Sequence, residues 1–224
     1  MADHGKGRLF IMKKLISLLL VLSLCLALAP CCTGEGSQAA PAPAESAEDE
    51  ELPAAYVDFD DMSFYVSGKK YTLGVSTLQE MIDDGVPFEE VDLEDAGNNL
   101  KANYESGSFR IQLGEYWTAS VCTFNDTESG KPVSACFLSE VYLPLHSDEE
   151  QDVLSFAFPM DITMEELIAN AGEPDETSHY DGDNGYYTDT VCYTRDSERY
   201  YSASKYRFEF VKGELAYVTI NYVP

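Results

Sequence analysis

Two stretches of this chain open and close in the same way, 87 positions apart: STLQEMIDDGVP at residues 76–87 and TMEELIANAGEP at residues 163–174. Ungapped alignment sets Ser76 on Thr163, Gln79 on Glu166, Gly85 on Gly172 and Pro87 on Pro174. Ser76 and Thr163 are expected N-caps, each hydroxyl accepting from the amide three residues on, while Gln79 and Glu166 reach back to close a capping box. Each such cap contributes about 1 kcal/mol. Gly85 and Gly172 suit the left-handed position that stops a helix, and the prolines two residues later prevent its resumption. Ile162, ahead of the second cap, is placed to staple onto Leu167. The pattern predicts two short helices, built alike.

Strand signals surround each helix. After the first come SFRIQL, TASVCTFN and ACFLSEVYL; after the second come YYTDTVCYTR, SKYRFEFVKG and ELAYVTINYV. Alternation through Tyr206, Phe208 and Phe210, then Leu215, Tyr217, Thr219 and Asn221, indicates half-buried antiparallel strands. Turns at Ser67-Gly68 and around Gly213 predict hairpins. The expected fold class is therefore α+β: two related modules, residues 54–147 and 148–224, each a short helix packed on an antiparallel sheet. The competing arrangement is a single α+β domain whose helices share capping chemistry.

The segment DITMEELIANAGEPDE, residues 161–176, resembles the helix-to-strand opening of the tandem modules in β-lactamase inhibitory protein and in the small lipoprotein of the outer-membrane barrel-assembly machinery. In those proteins a sheet face contacts another protein, so the resemblance implies protein recognition without catalysis.

The N-terminal region carries an address. Lys13 and Lys14 precede an apolar run from Leu15 to Ala29, the charged and apolar parts of an export signal, with Met12 as an alternative start. The run is shorter than the roughly 20 residues that span a bilayer core. The sequence LAPC before Cys31 and Cys32 resembles a bacterial lipoprotein acylation box, with Pro30 where a small residue is usual. Either cysteine, or neither if ALA marks ordinary cleavage, fits as the acceptor. Two acyl chains would give stable attachment. Residues 33–53 are small, acidic and Pro-containing, too poor in apolar groups to offset chain entropy, and read as a disordered spacer. Residues 1–30 are thus an export signal, residues 31–53 an anchor and linker. The expected location is the outer face of a bacterial cytoplasmic membrane, or the exterior if the box is not used.

Charge removes whole classes of partner. The chain has 40 acidic residues against 14 basic ones. Residues 1–30 hold one acid and four bases, so the remainder has 39 against 10 and a net charge near −29. Such a surface repels phosphate backbones, which argues against nucleic acid. It also repels anionic lipid headgroups, which suits attachment through a lipid rather than a basic patch.

No residue set announces catalysis. His146 and His179 lie outside any nucleophile context, and no phosphate-binding glycine loop is present. No cofactor is expected. The loop YDGDNGYYTD offers Asp181, Asp183 and Asp189 as hard oxygen ligands for calcium. However, Gly185 stands where an EF-hand needs a ligand, and the competing reading is a turn rich in residues that tolerate positive φ. Cys122 and Cys136 sit symmetrically about Ser129, a spacing open to a cross-strand disulfide in an exported protein or to two buried thiols. Cys192 reads as a buried hydrophobe.

Tyrosines crowd the last 45 residues, and adjacent pairs must point to opposite faces of a sheet. Trp117, Tyr186, Tyr187, Tyr200 and Tyr201 are the candidate partner-binding residues, on the enrichment of such side chains at interfaces. The expected partner is an envelope or extracellular protein. Capture of cell-wall glycan or a small ligand is the alternative function.

Overall fold

In the computed structural model, residues 55–145 and 152–224 are described. The lipidation cysteines Cys31 and Cys32, the export signal, the acidic linker and His146 lie outside them. Among the described residues no helix is long and apolar enough to cross a membrane.

The chain enters through a hairpin, β1 (Ser63–Val66) and β2 (Lys69–Thr72). Ser67 and Gly68 form its turn with φ of 50° and 80°, the paired positive values that match the twist of a two-residue hairpin. Helices α1 (Leu78–Asp83) and α2 (Glu90–Leu93) follow. Next come three short strands, β3 (Asn99–Leu100), β4 (Tyr104–Glu105) and β5 (Phe109–Gln112). The first half closes with β6 (Thr118–Asn125), β7 (Lys131–Pro132) and β8 (Phe137–Pro144). The second half has β9 (Leu154–Ser155), α3 (Met164–Ala171), β10 (Glu176–Asp181), β11 (Tyr187–Asp196), β12 (Ala203–Val211) and β13 (Glu214–Asn221). Lys212 and Gly213, with φ of 54° and 85°, turn the last hairpin.

Helices α1 and α3 each open on a complete capping box, but that of α1 is set one residue later than its sequence suggests. Thr77 is the N-cap: its Oγ1 accepts from the Glu80 amide at 3.2 Å, and Glu80 accepts from the Thr77 amide at 2.8 Å. The cause is tertiary. The Gly74 amide donates to the Leu138 carbonyl, the Leu138 amide donates to the Ser76 carbonyl, and Thr77 bridges Phe137. Ser76 is thus still held against β8 and uses its hydroxyl on the Thr72 amide, while Gln79 donates to Asp83. In α3 Thr163 and Glu166 form the expected box at 2.9 and 3.2 Å. Gly85 and Gly172 follow the helices with φ of 75° and 86°.

The main sheet runs β10-β11-β12-β13-β8-β6-β4, with β5 also paired to β6. All its pairings are antiparallel, and β13 against β8 is the seam between the halves, with Ile220 opposite Val141 and Tyr217 opposite Pro144. One core serves the whole unit. Val141, Leu143, Phe208, Val218 and Ile220 on one sheet face meet Leu78 and Met81 of α1, Leu167 of α3, and Phe64 and Val66 of the hairpin in a single buried cluster. Each such side chain stabilises the fold by about 1.5–3 kcal/mol. Phe158 lies 5.0 Å from Phe156 and 5.3 Å from Phe208, tying the segment before α3 to the sheet.

The fold class is α+β and mostly sheet. The described residues form one compact unit, and β9 pairs with β1 across the halves. The halves do not repeat strand for strand: the first follows its helix with α2 and six strands, β3 to β8, of which only β6 and β8 are long, the second with four long ones.

Candidate recognition face

The register of the sheet sorts its side chains into two faces. Cys192, Arg207, Thr219, Tyr142 and Ser120 stand opposite one another across five strands. Their neighbours Val191, Phe208, Val218, Val141 and Val121 are fully buried, so alternation puts the first row on the side away from the core. Thr194, Lys205, Asn221, Glu140 and Cys122 form the next row on one side, and Thr190, Glu209 and Tyr217 continue it on the other. Most of these residues are half-exposed, whereas the buried residues of α1 and α3 belong to the opposite, core side. The result is a polar, open sheet face.

At its centre Tyr142 and Tyr217 stack with ring centroids 6.1 Å apart and planes at 13°. Burial, then the neighbouring Tyr217 and Glu209, push the Tyr142 hydroxyl up from its ordinary value. Beside them Arg207 pairs with Glu209 at 3.2 Å. Lys205 and Arg207 border a depression of about 610 Å³ that reaches Glu176 and Ser178 on β10. On the other flank Glu140 is half-buried, and desolvation, followed by the charge of Glu105, raises its carboxyl above the usual range. A face with a flank of mixed charge, an aromatic centre and an acidic flank is thus embedded in an acidic chain.

The structure does not gather the five sequence-based candidates into one patch. Tyr186 and Tyr187 stand at one end of β11, and Tyr200 and Tyr201 lie beyond the other end. Ten residues of strand separate them, roughly 30 Å at about 3.3 Å per residue. Tyr186 lines a depression of about 340 Å³ with Lys212 and Tyr217, on the open side. Tyr187 is out of phase with it and lies 5.9 Å from the His179 ring. Tyr200 packs edge-on against Phe124 at 5.6 Å, while Tyr201 is fully exposed. Trp117 is half-buried one residue before β6, out of phase with the open-face positions Thr118 and Ser120.

Cys122 and Cys136 are not bonded to one another; both are free, buried thiols, as is Cys192. The expected symmetric hairpin is replaced by an irregular connection: β7 leaves to pair with β3, a 3-10 turn spans Val133–Ala135, and a bulge interrupts the β6–β8 ladder at Cys122 and Thr123. Cys122 therefore stands opposite Glu140, with Ser108 at 3.6 Å, while Cys136 contacts the Pro132 carbonyl at 3.4 Å. Burial pushes the Cys122 thiol up to about 11.

Residues 182–186 form a turn with Asn184 and Gly185 at positive φ. Asp181 and Asp183 are exposed, and Asp189 Oδ1 lies 2.7 Å from His179 Nδ1. Among the described residues no three or more His, Cys, Asp or Glu side chains gather as a metal site.

The pair Tyr142 and Tyr217 was not singled out from the sequence. For Tyr142 the signal was present, because Val141 and Leu143 alternate with Glu140, Tyr142 and Pro144. For Tyr217 it was hidden: a bulge beside Glu209 and Phe210 puts Glu209 opposite Tyr217 and Phe210 opposite Leu215. Ala216 is the extra residue, and the phase of β13 reverses there. Compared with protein-family models, curated proteins and solved structures, this chain matches none.

Proposed function

We propose that this chain is an exported, lipid-anchored surface protein acting as a non-catalytic protein-recognition module, with the open sheet face as its contact surface. The observation that carries this reading is the stacked Tyr142–Tyr217 pair at the centre of a half-exposed face, next to Arg207. Tyrosine and arginine are the residue types that most often dominate interface energetics, because each presents a large contact area and a polar tip. In this reading the two halves, 54–147 and 148–224, are related modules fused edge to edge at β8 and β13. The capping boxes Thr77–Glu80 and Thr163–Glu166 at equivalent places in the halves support it. So does the resemblance of residues 161–176 to tandem recognition modules. Cys31 or Cys32 would carry the lipid, and the linker would hold the face clear of the membrane.

The partner is a protein with basic or neutral contact chemistry, since a large acidic excess would repel an acidic one. The buried thiols of Cys122, Cys136 and Cys192, pushed away from the thiolate form, are poor nucleophiles. Glycan capture is the second reading, because stacked tyrosines also offer a platform for sugar rings.

Affinity capture separates the two. The protein is immobilised and offered solubilised envelope proteins and purified cell-wall glycan in parallel, at low and high salt. A discrete protein band that weakens with salt and is lost on Tyr217→Ala supports recognition of a protein, whereas retention of glycan alone, insensitive to salt, refutes it.

A further inference from the structure

At the β4 end of the sheet lies a pocket of about 220 Å³ whose walls include Phe124, Tyr200 and Tyr222, with Asn103, Glu105 and Asn221 around them. Distant parts of the chain build it. The turn between β11 and β12 brings Tyr200, whose hydroxyl donates to Asn103 Oδ1 at 2.7 Å. Its ring stands edge-on to Phe124 at 81°. Phe124 in turn neighbours Phe137, which meets Tyr222 at 5.8 Å and 77°. Three aromatic walls are thus fixed at steep angles by tertiary packing.

Among the polar side chains of this wall (Asn103, Glu105, Ser202 and Asn221), Glu105 is the charged one. Ser139 donates to Glu105 Oε1 at 2.7 Å, which orients Glu105 while leaving Oε2 without a described partner. No ion pair to Glu105 occurs among the described residues. Arg199 lies over the Tyr200 ring at 5.2 Å, but its guanidinium donates to the Asp126 carbonyl and is not part of the pocket wall. The Glu105 charge also reaches Glu140, whose carboxyl it helps to raise. The site therefore combines aromatic faces with uncompensated negative charge, the chemistry that holds organic cations through ring quadrupoles and a counter-ion.

We propose that this pocket takes one organic cation, an alkylammonium or guanidinium group, with its apolar stem against Phe124 and Tyr222 and its charge toward Glu105. Resting on the recognition reading, the cation would be a lysine or arginine side chain of the partner; a free amine is the other source of the same chemistry. Tyr200, one of the five residues singled out from sequence, then acts at this end of the face.

The test needs no partner. The purified protein, carrying labelled aromatic rings, is titrated with Nα-acetyl-lysine methylamide, Nα-acetyl-arginine methylamide, butylammonium and, as the uncharged control, Nα-acetyl-norleucine methylamide, and ring resonances are followed by NMR. The cationic probes should shift Phe124, Tyr200 and Tyr222, and the norleucine probe should bind about tenfold more weakly. Glu105→Gln, which keeps the contact to Ser139, and Tyr200→Leu should each weaken the cationic probes by about fivefold or more. Tighter binding of the amino-acid probes than of butylammonium assigns the site to a protein side chain, and the reverse order assigns it to a free amine. Equal binding of the norleucine probe, or indifference to Glu105→Gln, overturns the proposal. Failure of all cationic probes while a captured protein still depends on Tyr217 overturns the pocket alone and leaves the recognition face standing.

Discussion

Tyr142 of β8 and Tyr217 of β13 stack across the seam between the two halves of the chain, 6.1 Å apart and nearly parallel, on the face of the sheet that the core does not use. The contact joins residues 75 positions apart in sequence, and both rings remain half-exposed. Cross-strand aromatic pairs couple by about 0.5–1.5 kcal/mol. A double-mutant cycle of Tyr142→Ala and Tyr217→Ala, followed by chemical denaturation, is expected to return a coupling in that range. Each single variant should remain folded, so that any effect on binding is read separately from stability.

Glu140 gives the face a pH dependence of definite sign. Its carboxyl is raised in the folded protein by desolvation first and by Glu105 second, so the folded state binds the proton more tightly than the unfolded chain does. Stability from this group is therefore greatest below the unfolded value of about 4.3. It is lost as pH rises through the folded value. Glu140→Gln removes the penalty. Denaturation curves should show the variant more stable than the parent at pH 7 to 8, with the two converging below about pH 4.

The capping boxes predict which residues at the helix starts matter. Thr77→Ala and Thr163→Ala should each destabilise the protein by about 1 kcal/mol. Gln79→Ala, which loses only an exposed contact to Asp83, should cost less than about 0.5 kcal/mol. Urea midpoints of Thr77→Ala and Gln79→Ala decide between the Thr77–Glu80 box and the Ser76–Gln79 box expected from sequence alignment.

The thiols should be silent until the protein unfolds. Cys122, Cys136 and Cys192 are buried and free, and burial raises all three above the ordinary thiol value. Peptide mapping after alkylation under native conditions should find these sites unmodified, with full modification after denaturation in guanidinium. It should find no crosslinked peptide joining Cys122 to Cys136.

Local chemistry made part of this architecture legible. The hairpin turns at Ser67-Gly68 and around Gly213 could be read because glycine takes a positive φ at no steric cost, whereas the positive φ of Ser67 and Lys212 beside each glycine is set by the twist of the strands. The second capping box was legible to the residue. The first was displaced by one because Ser76 is pinned by Leu138, a contact from 62 positions away that no local pattern encodes. The same limit explains the candidate site. Tyr186, Tyr187, Tyr200 and Tyr201 are close in sequence, but a ten-residue strand carries the two pairs to opposite ends of the sheet. Tyr142 and Tyr217 are far apart in sequence and meet only because β8 and β13 pair. The bulge at Ala216 then selects the face on which Tyr217 emerges, and a single-residue change of phase cannot be read from hydrophobic alternation.

The most direct test of the open face as the contact surface is the affinity of a captured partner for two variants, Tyr217→Ala at the centre of that face and Trp117→Ala outside its register. Tyr217→Ala is expected to weaken binding about tenfold or more, while Trp117→Ala changes it less than about threefold. Loss of binding with Trp117→Ala and indifference to Tyr217→Ala would contradict this and move the contact surface off the open face.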